Sequence, residues 1–293
     1  MLNTFTLENG LRVIVKKMDG LLSVSMGILV GAGAAYESDE EDGISHYIEH
    51  MQFKGTTTRS AKKISDDFDA IGAQVNAFTG KDLTCFYSKA TAGHTAEAFE
   101  ILSDLFLNAT FPEEEAVREK EVICEEISMN EDTPEDLCLD LLSEAMYGST
   151  GYGRNILGPA ANVRAFTKEQ VDAYKRELYC PENIVISFAG AIEPERAKEL
   201  VERYFAGLQG GNFVRRQKKI VLSRSSLIKN KKIEQVHLAI GYPSVPRSSE
   251  EIETIQIMNT AIGSGMSSRL FQEVREKLGL AYTVYSYGSH YVE

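Results

Sequence analysis

Cysteine is scarce. The 293-residue chain has four, Cys85, Cys124, Cys138 and Cys180, none at C-x-x-C spacing and all in apolar surroundings. That excludes a disulfide framework and a cysteine zinc site, and it predicts buried, reduced thiols of a cytoplasmic protein. Positive charge is also short: 31 Lys and Arg against 43 Asp and Glu leave a formal net charge of -12. A phosphate-binding surface needs the opposite balance, so nucleic acid is excluded as a partner. No apolar run reaches the ~18 residues of a membrane span. Met1-Leu2-Asn3-Thr4-Phe5 leads straight into a strand pattern with no basic and apolar leader, so neither a membrane nor a secretory role is expected. What remains is a globular composition, 43% apolar, long enough for one large domain or two of ordinary size.

Histidine numbers only five, and two of them fall in His46-Tyr47-Ile48-Glu49-His50. On a helix, positions i and i+4 lie about 40° apart, so His46 and His50 share one face with Glu49 beside them. Two neutral imidazoles can ligate one Zn²⁺ while the carboxylate takes a proton from water. The order H-x-x-E-H is the inverted zincin pattern. His94, His237 and His290 have no ligand spacing and read as structural. Gly263-Ser264-Gly265 lacks the lysine of a phosphate-binding loop and reads as a turn between helices.

Strand signals run over Thr4 to Leu7, Leu11 to Val15 and Ser23 to Val30, with a turn at Glu8-Asn9-Gly10. The motif helix follows Asp42-Gly43. A helix over Ala61 to Ile71 and paired strands over Gln74 to Phe78 and Asp82 to Lys89 come next. Helices are predicted over Thr95 to Leu107, Pro112 to Met129, Pro134 to Met146, Thr167 to Leu178 and Pro194 to Leu208, with a buried strand over Asn183 to Ala191. This is an α+β domain over 1–210, a mostly antiparallel sheet with helices on one face. Over 211–232, Arg215, Arg216, Lys218, Lys219, Arg224, Lys229, Lys231 and Lys232 occur without an acid between them, and a solvated basic linker is expected. The segment 233–293 repeats the earlier element order: strand Val236 to Ile240, helices Glu251 to Ile262 and Ser267 to Leu278, strand Tyr282 to Tyr287. At the motif position it carries Thr254-Ile255-Gln256-Ile257-Met258, which cannot bind metal. This second α+β domain would stop before its sheet is complete, leaving strand edges unpaired, so a truncated chain of reduced solubility is expected.

A catalytic zinc site takes a third protein ligand. On the helix Pro112 to Met129, Val122, Ile123, Ile127 and Met129 define an apolar face with Glu119 and Glu126 near its middle, whereas Glu121 and Glu125 project to solvent. A carboxylate on a buried face is costly unless paired, protonated or bound to a cation. Glu126 is therefore the favoured ligand and Glu119 an acid that hydrogen-bonds a ligand or the water; the alternative is that both are surface acids.

The stretch His46-Tyr47-Ile48-Glu49-His50-Met51-Gln52-Phe53-Lys54-Gly55-Thr56, followed by Glu126 76 positions after His50, resembles the M16 zinc metallopeptidases. These are the pitrilysin, insulinase and mitochondrial processing peptidase family, and the bacterial two-domain processing-protease branch is the most similar. Glu119 and Glu126 match the family's glutamates seven apart, and Gly153-Arg154-Asn155-Ile156-Leu157-Gly158 resembles another shared stretch. Asn76-Ala77-Phe78-Thr79 resembles its substrate-binding edge strand, on which a peptide adds by main-chain hydrogen bonds. Arg275 and Tyr282 match its C-terminal substrate contacts, with Tyr282 a donor to the developing oxyanion. The resemblance implies an endopeptidase with one Zn²⁺ per chain on His46, His50 and Glu126. Glu49 would be its general base and Glu119, Arg275 and Tyr282 further catalytic residues. It also implies extended, presequence-like peptide substrates and a homodimer or a heterodimer with a related subunit. A non-hydrolytic peptide-binding subunit and a structural zinc domain with four protein ligands are the competing readings.

Overall fold

Alternating burial explains the sheet. In the computed structural model, which describes residues 2–149, 151–210, 213, 216, 220 and 222–292, six strands form. They are β1 Leu2–Thr6, β2 Arg12–Lys17, β3 Ser23–Val30, β4 Gln74–Thr79, β5 Thr84–Thr91 and β6 Ile184–Gly190. Val24, Met26, Ile28 and Val30 of β3 and Ile184, Ile186 and Phe188 of β6 are buried on the face that the helices cover. The register sets Met26 beside Phe188 and Ile28 between Ile186 and Phe86. Fully burying each such side chain stabilises by about 1.5–3 kcal/mol.

The strand order is β1-β2-β6-β3-β5-β4. Every neighbouring pair is antiparallel except β2 and β6, so the sheet is mostly antiparallel, as expected. β4 lies at one edge.

Among the described residues the α-helices are α1 Ile44–Gln52, α2 Ala61–Ala70, α3 Thr95–Asn108, α4 Glu113–Asp132, α5 Pro134–Tyr147, α6 Ala160–Ala165, α7 Lys168–Leu178, α8 Pro194–Phe205 and α9 Ile252–Gly263. Most boundaries fall within a few residues of the expected ones, and the short α6 has no counterpart among them. Local chemistry explains several. Thr167 and Gln170 form a reciprocal capping box at α7, and Ser60 caps α2 through the Lys63 N–H. In the β1–β2 turn, the Asn9 amide donates to the Phe205 and Leu208 carbonyls at 2.9 and 3.0 Å, satisfying the C-terminal end of α8. The aromatic centre packs Phe99 against Phe188 at 5.0 Å and Phe86 against Phe106 at 5.6 Å.

The chain divides into two units, Met1–Ala239 and Ile240–Glu293. The basic stretch belongs to the first and is not simply solvated. Arg216 pairs with Glu41 and Glu177, and Lys231 with Asp132, while Arg215, Lys218 and Lys219 lie outside the described residues. In the second unit α9 forms as expected, and Phe271–Lys277 adopts a π-helical turn within the expected second helix. The expected strands Val236 to Ile240 and Tyr282 to Tyr287 are irregular, since a strand needs a hydrogen-bonded partner and neither run has one among the described residues. Ser286 instead binds α9, its N–H donating to the Gly263 carbonyl at 3.2 Å.

Candidate metal centre

α1 is held at its start before it presents any side chain. Gly43 precedes it at φ 95°, and a Cβ there would lie 2.7 Å from the Leu157 carbonyl oxygen, so glycine is required twice over. The first-turn N–H groups are satisfied by a distant acid: Glu37 accepts from the Gly43 and Ser45 N–H groups, each at 2.8 Å. Glu37 is fully buried, and that burial pushes its carboxyl up to about 7. Buried Arg154 donates to Asp42 at 2.8 Å and pairs with Asp39, while its own carbonyl accepts from Lys81. The Gly153–Gly158 stretch thus ties the start of α1 to the β4–β5 turn.

On that frame, His46 Nε2 and His50 Nε2 face each other at 3.2 Å, and Glu126 Oε2 of α4 lies 3.7 and 3.5 Å from them. Glu119 Oε1 accepts from His50 Nδ1 at 2.9 Å. A carboxylate only accepts, so the His50 hydrogen sits on Nδ1 and the Nε2 lone pair points at His46. His46 is buried, its Nδ1 has no hydrogen-bond partner among the described residues, and burial followed by the neighbouring His50 lowers its pKa to about 3. A His50 lone pair, an uncharged His46 ring and a carboxylate oxygen therefore converge on one point. Zinc bonds of about 2.0–2.2 Å in a tetrahedron hold donor atoms about 3.3 Å apart, so this spacing fits a zinc ion.

Glu49 stands beside the cluster. Its Oε2 accepts from Thr79 Oγ1 at 2.5 Å, and burial raises its pKa above the usual carboxylate value despite that bond. Glu119 also receives Lys54 Nζ at 2.6 Å. The sequence assigns Lys54, one turn beyond His50, no role of its own, although its i+4 spacing is a signal for this pairing.

The face of α4 differs from expectation. Ile123 and Cys124 pack inward with Glu119, while Val122 and Met129 are exposed. Glu126 is half-exposed rather than central to a buried face, and Glu121 and Glu125 do point to solvent. Along edge strand β4, Asn76 and Phe78 are more exposed than Ala77 and Thr79, and Thr79 turns toward Glu49. Arg275 and Tyr282 lie in the second unit, where the guanidinium stacks over the Tyr282 ring at 4.9 Å and the Phe271 ring at 4.6 Å. His94 pairs with Glu97.

Comparison with known proteins gives the family. Residues 12–160 match the family described as Insulinase (Peptidase family M16), and residues 165–292 the Peptidase M16 inactive domain. The chain belongs to the M16 peptidase family. It is 41% identical to the uncharacterized zinc protease YmxG of Bacillus subtilis over 291 residues, covering 99% of this chain and 71% of that one. An uncharacterized zinc protease of Rickettsia felis is 39% identical, over 99% and 70% of the two chains. In fold, the chain matches a protease from Helicobacter pylori at TM-score 0.87 and 19% identity, covering 99% of this chain and 72% of that one.

Proposed function

We propose that this chain is a zinc-dependent endopeptidase cutting peptides held in extended conformation. The reading rests on one observation above others: His46 Nε2, His50 Nε2 and Glu126 Oε2 lie within 4.8 Å of one another, with Glu49 one residue before His50 on the same helix. His46, His50 and Glu126 hold the ion, and Glu119 fixes the His50 ring. Zinc, when bound, polarises a carbonyl and brings the pKa of a water to about 7. Glu49 then takes the water's proton as general base and returns it to the leaving amine. Its raised pKa suits both transfers, and Thr79 steadies the oxygen that does not carry the proton.

In this reading 1–210 is the catalytic domain, 211–232 a basic linker and 233–293 part of a substrate-binding domain. Arg275 and Tyr282 would contact peptide near the scissile carbonyl, and Asn76 to Thr79 would receive it as an added strand. Zinc follows from the donor set and from the names of the relatives. A cytoplasmic site and a pairing with a second, related chain complete the proposal.

Glu49→Gln is the decisive substitution. It should retain stoichiometric zinc and lose cleavage of a quenched fluorescent peptide by roughly 100-fold or more. Wild-type turnover that survives metal chelation would remove zinc from the reaction, and a silent wild-type chain that still binds peptide would favour a non-hydrolytic subunit.

A further inference from the structure

Glu119 is almost wholly buried, its side chain 7% exposed, yet it is not one of the three groups around the cation position. A buried carboxylate is costly unless hydrogen bonds or a paired positive charge satisfy it. His50 Nδ1 donates to Oε1 at 2.9 Å, and the Lys54 ammonium pairs with Oε2 at 2.6 Å. Both come from the same run of chain, four residues apart.

Lys54 is itself fixed. Its N–H donates to the Met51 carbonyl at 3.1 Å, and the chain then turns at Gly55, φ 123°, into a loop with every strut made. The Thr110 N–H donates to the Gly55 carbonyl at 3.0 Å and the Thr56 N–H to the Arg59 carbonyl at 2.8 Å. The buried Asp104 carboxylate receives Thr56 Oγ1 and Arg59 Nη1, both at 2.7 Å. This loop sets where the Lys54 stem begins, and its half-buried stem carries the ammonium to Glu119.

We propose that Lys54 is a positioning residue for the metal centre. It holds the Glu119 carboxylate so that one oxygen takes the Nδ1 hydrogen of His50 and the His50 Nε2 lone pair points to where His46 and Glu126 meet. The inference rests on the zinc reading above and extends it by one residue outward. Without the ammonium, Glu119 keeps the imidazole as its sole described donor and can turn about its own bonds, and the ring turns with it. Partners of this kind typically change metal affinity by about 10- to 100-fold.

The test is zinc affinity of the full chain, read independently of peptide cleavage. Metal-stripped wild type, Lys54→Met, Lys54→Arg and Glu119→Gln are titrated with zinc chloride against a chromophoric chelator, and the metal-free melting temperature of each is recorded. Lys54→Met should bind zinc roughly 10- to 100-fold more weakly with an unchanged metal-free melt, Glu119→Gln at least as weakly, and Lys54→Arg should recover most of the loss. If Lys54→Met is unfolded, Lys54→Gln replaces it and is judged by the same shift. Wild-type affinity in the folded, uncharged variant overturns the proposal, most sharply if Glu119→Gln is weakened. A wild-type chain that takes up no stoichiometric zinc overturns the underlying reading, and the role of Lys54 with it.

Discussion

α1 and α9 hold equivalent places in the repeat read from the sequence, and their surroundings could hardly differ more. α1 buries Ile44, Tyr47, Ile48 and Met51 and has its first N–H groups capped by Glu37. At the start of α9, among the described side chains, only the Ser249 hydroxyl accepts, from the Glu251 N–H at 3.2 Å, and the helix's Ile257 and Met258 are exposed. The two helices are of similar length, nine and twelve residues. The helix that brings two imidazoles to 3.2 Å from each other is thus also the one whose backbone is held by packing and capping.

The contrast is broken most strongly at the ligands. His46→Ala should abolish stoichiometric zinc binding, whereas Thr254→Ala at the matching position of α9 should leave it intact, as measured by metal analysis after dialysis. Packing comes next. Ile48→Ala should cost about 2–5 kcal/mol in urea unfolding, because Ile48 is wholly buried, while Ile257→Ala should change stability by about 0.5 kcal/mol or less. Equal losses would mean that α9 is buried in solution.

A glycine pair sharpens the point. Gly43 and Gly265 have φ 95° and 93°, but only at Gly43 would a Cβ meet backbone, at 2.7 Å. Gly265→Ala should carry the left-handed strain alone, about 1 kcal/mol, and Gly43→Ala about 3 kcal/mol. A pH dependence set by Glu37 completes the series. Its carboxyl titrates near 7 in the fold against an ordinary 4.5, so between those values the folded state binds more protons than the unfolded. Stability is greatest below the ordinary value and falls as pH rises toward about 7, by on the order of 2–3 kcal/mol. Glu37→Gln should flatten that slope in denaturation curves measured from pH 4 to pH 8.

Most of the first unit was legible in the chain because its signals are local. Strand alternation, the starts of α2 and α7 and the i, i+4 histidines need only a few neighbouring residues. The seven-residue spacing placed Glu119 and Glu126 on one side of α4, even though Val122 and Met129, used to phase that side, face outward. The Glu37 cap, the Arg154–Asp42 pair across 112 positions and the insertion of β6 between β2 and β3 were not legible, since each depends on parts of the chain that meet only after folding. Thr79 was read as a peptide contact, and nothing in its immediate sequence announces the bond to Glu49.

The central strand has a consequence for synthesis on the ribosome. β2 and β3 share no hydrogen bonds with each other; β6 pairs with both, and it is the last strand of the sheet to be made. A nascent chain that has exposed His46, His50 and even Glu126 still carries two unjoined β ribbons with open inner edges. Release of Ile184–Gly190 from the exit tunnel is the event that welds them into one platform, so any pause in translation before that segment prolongs the interval in which the protein is vulnerable to misassembly.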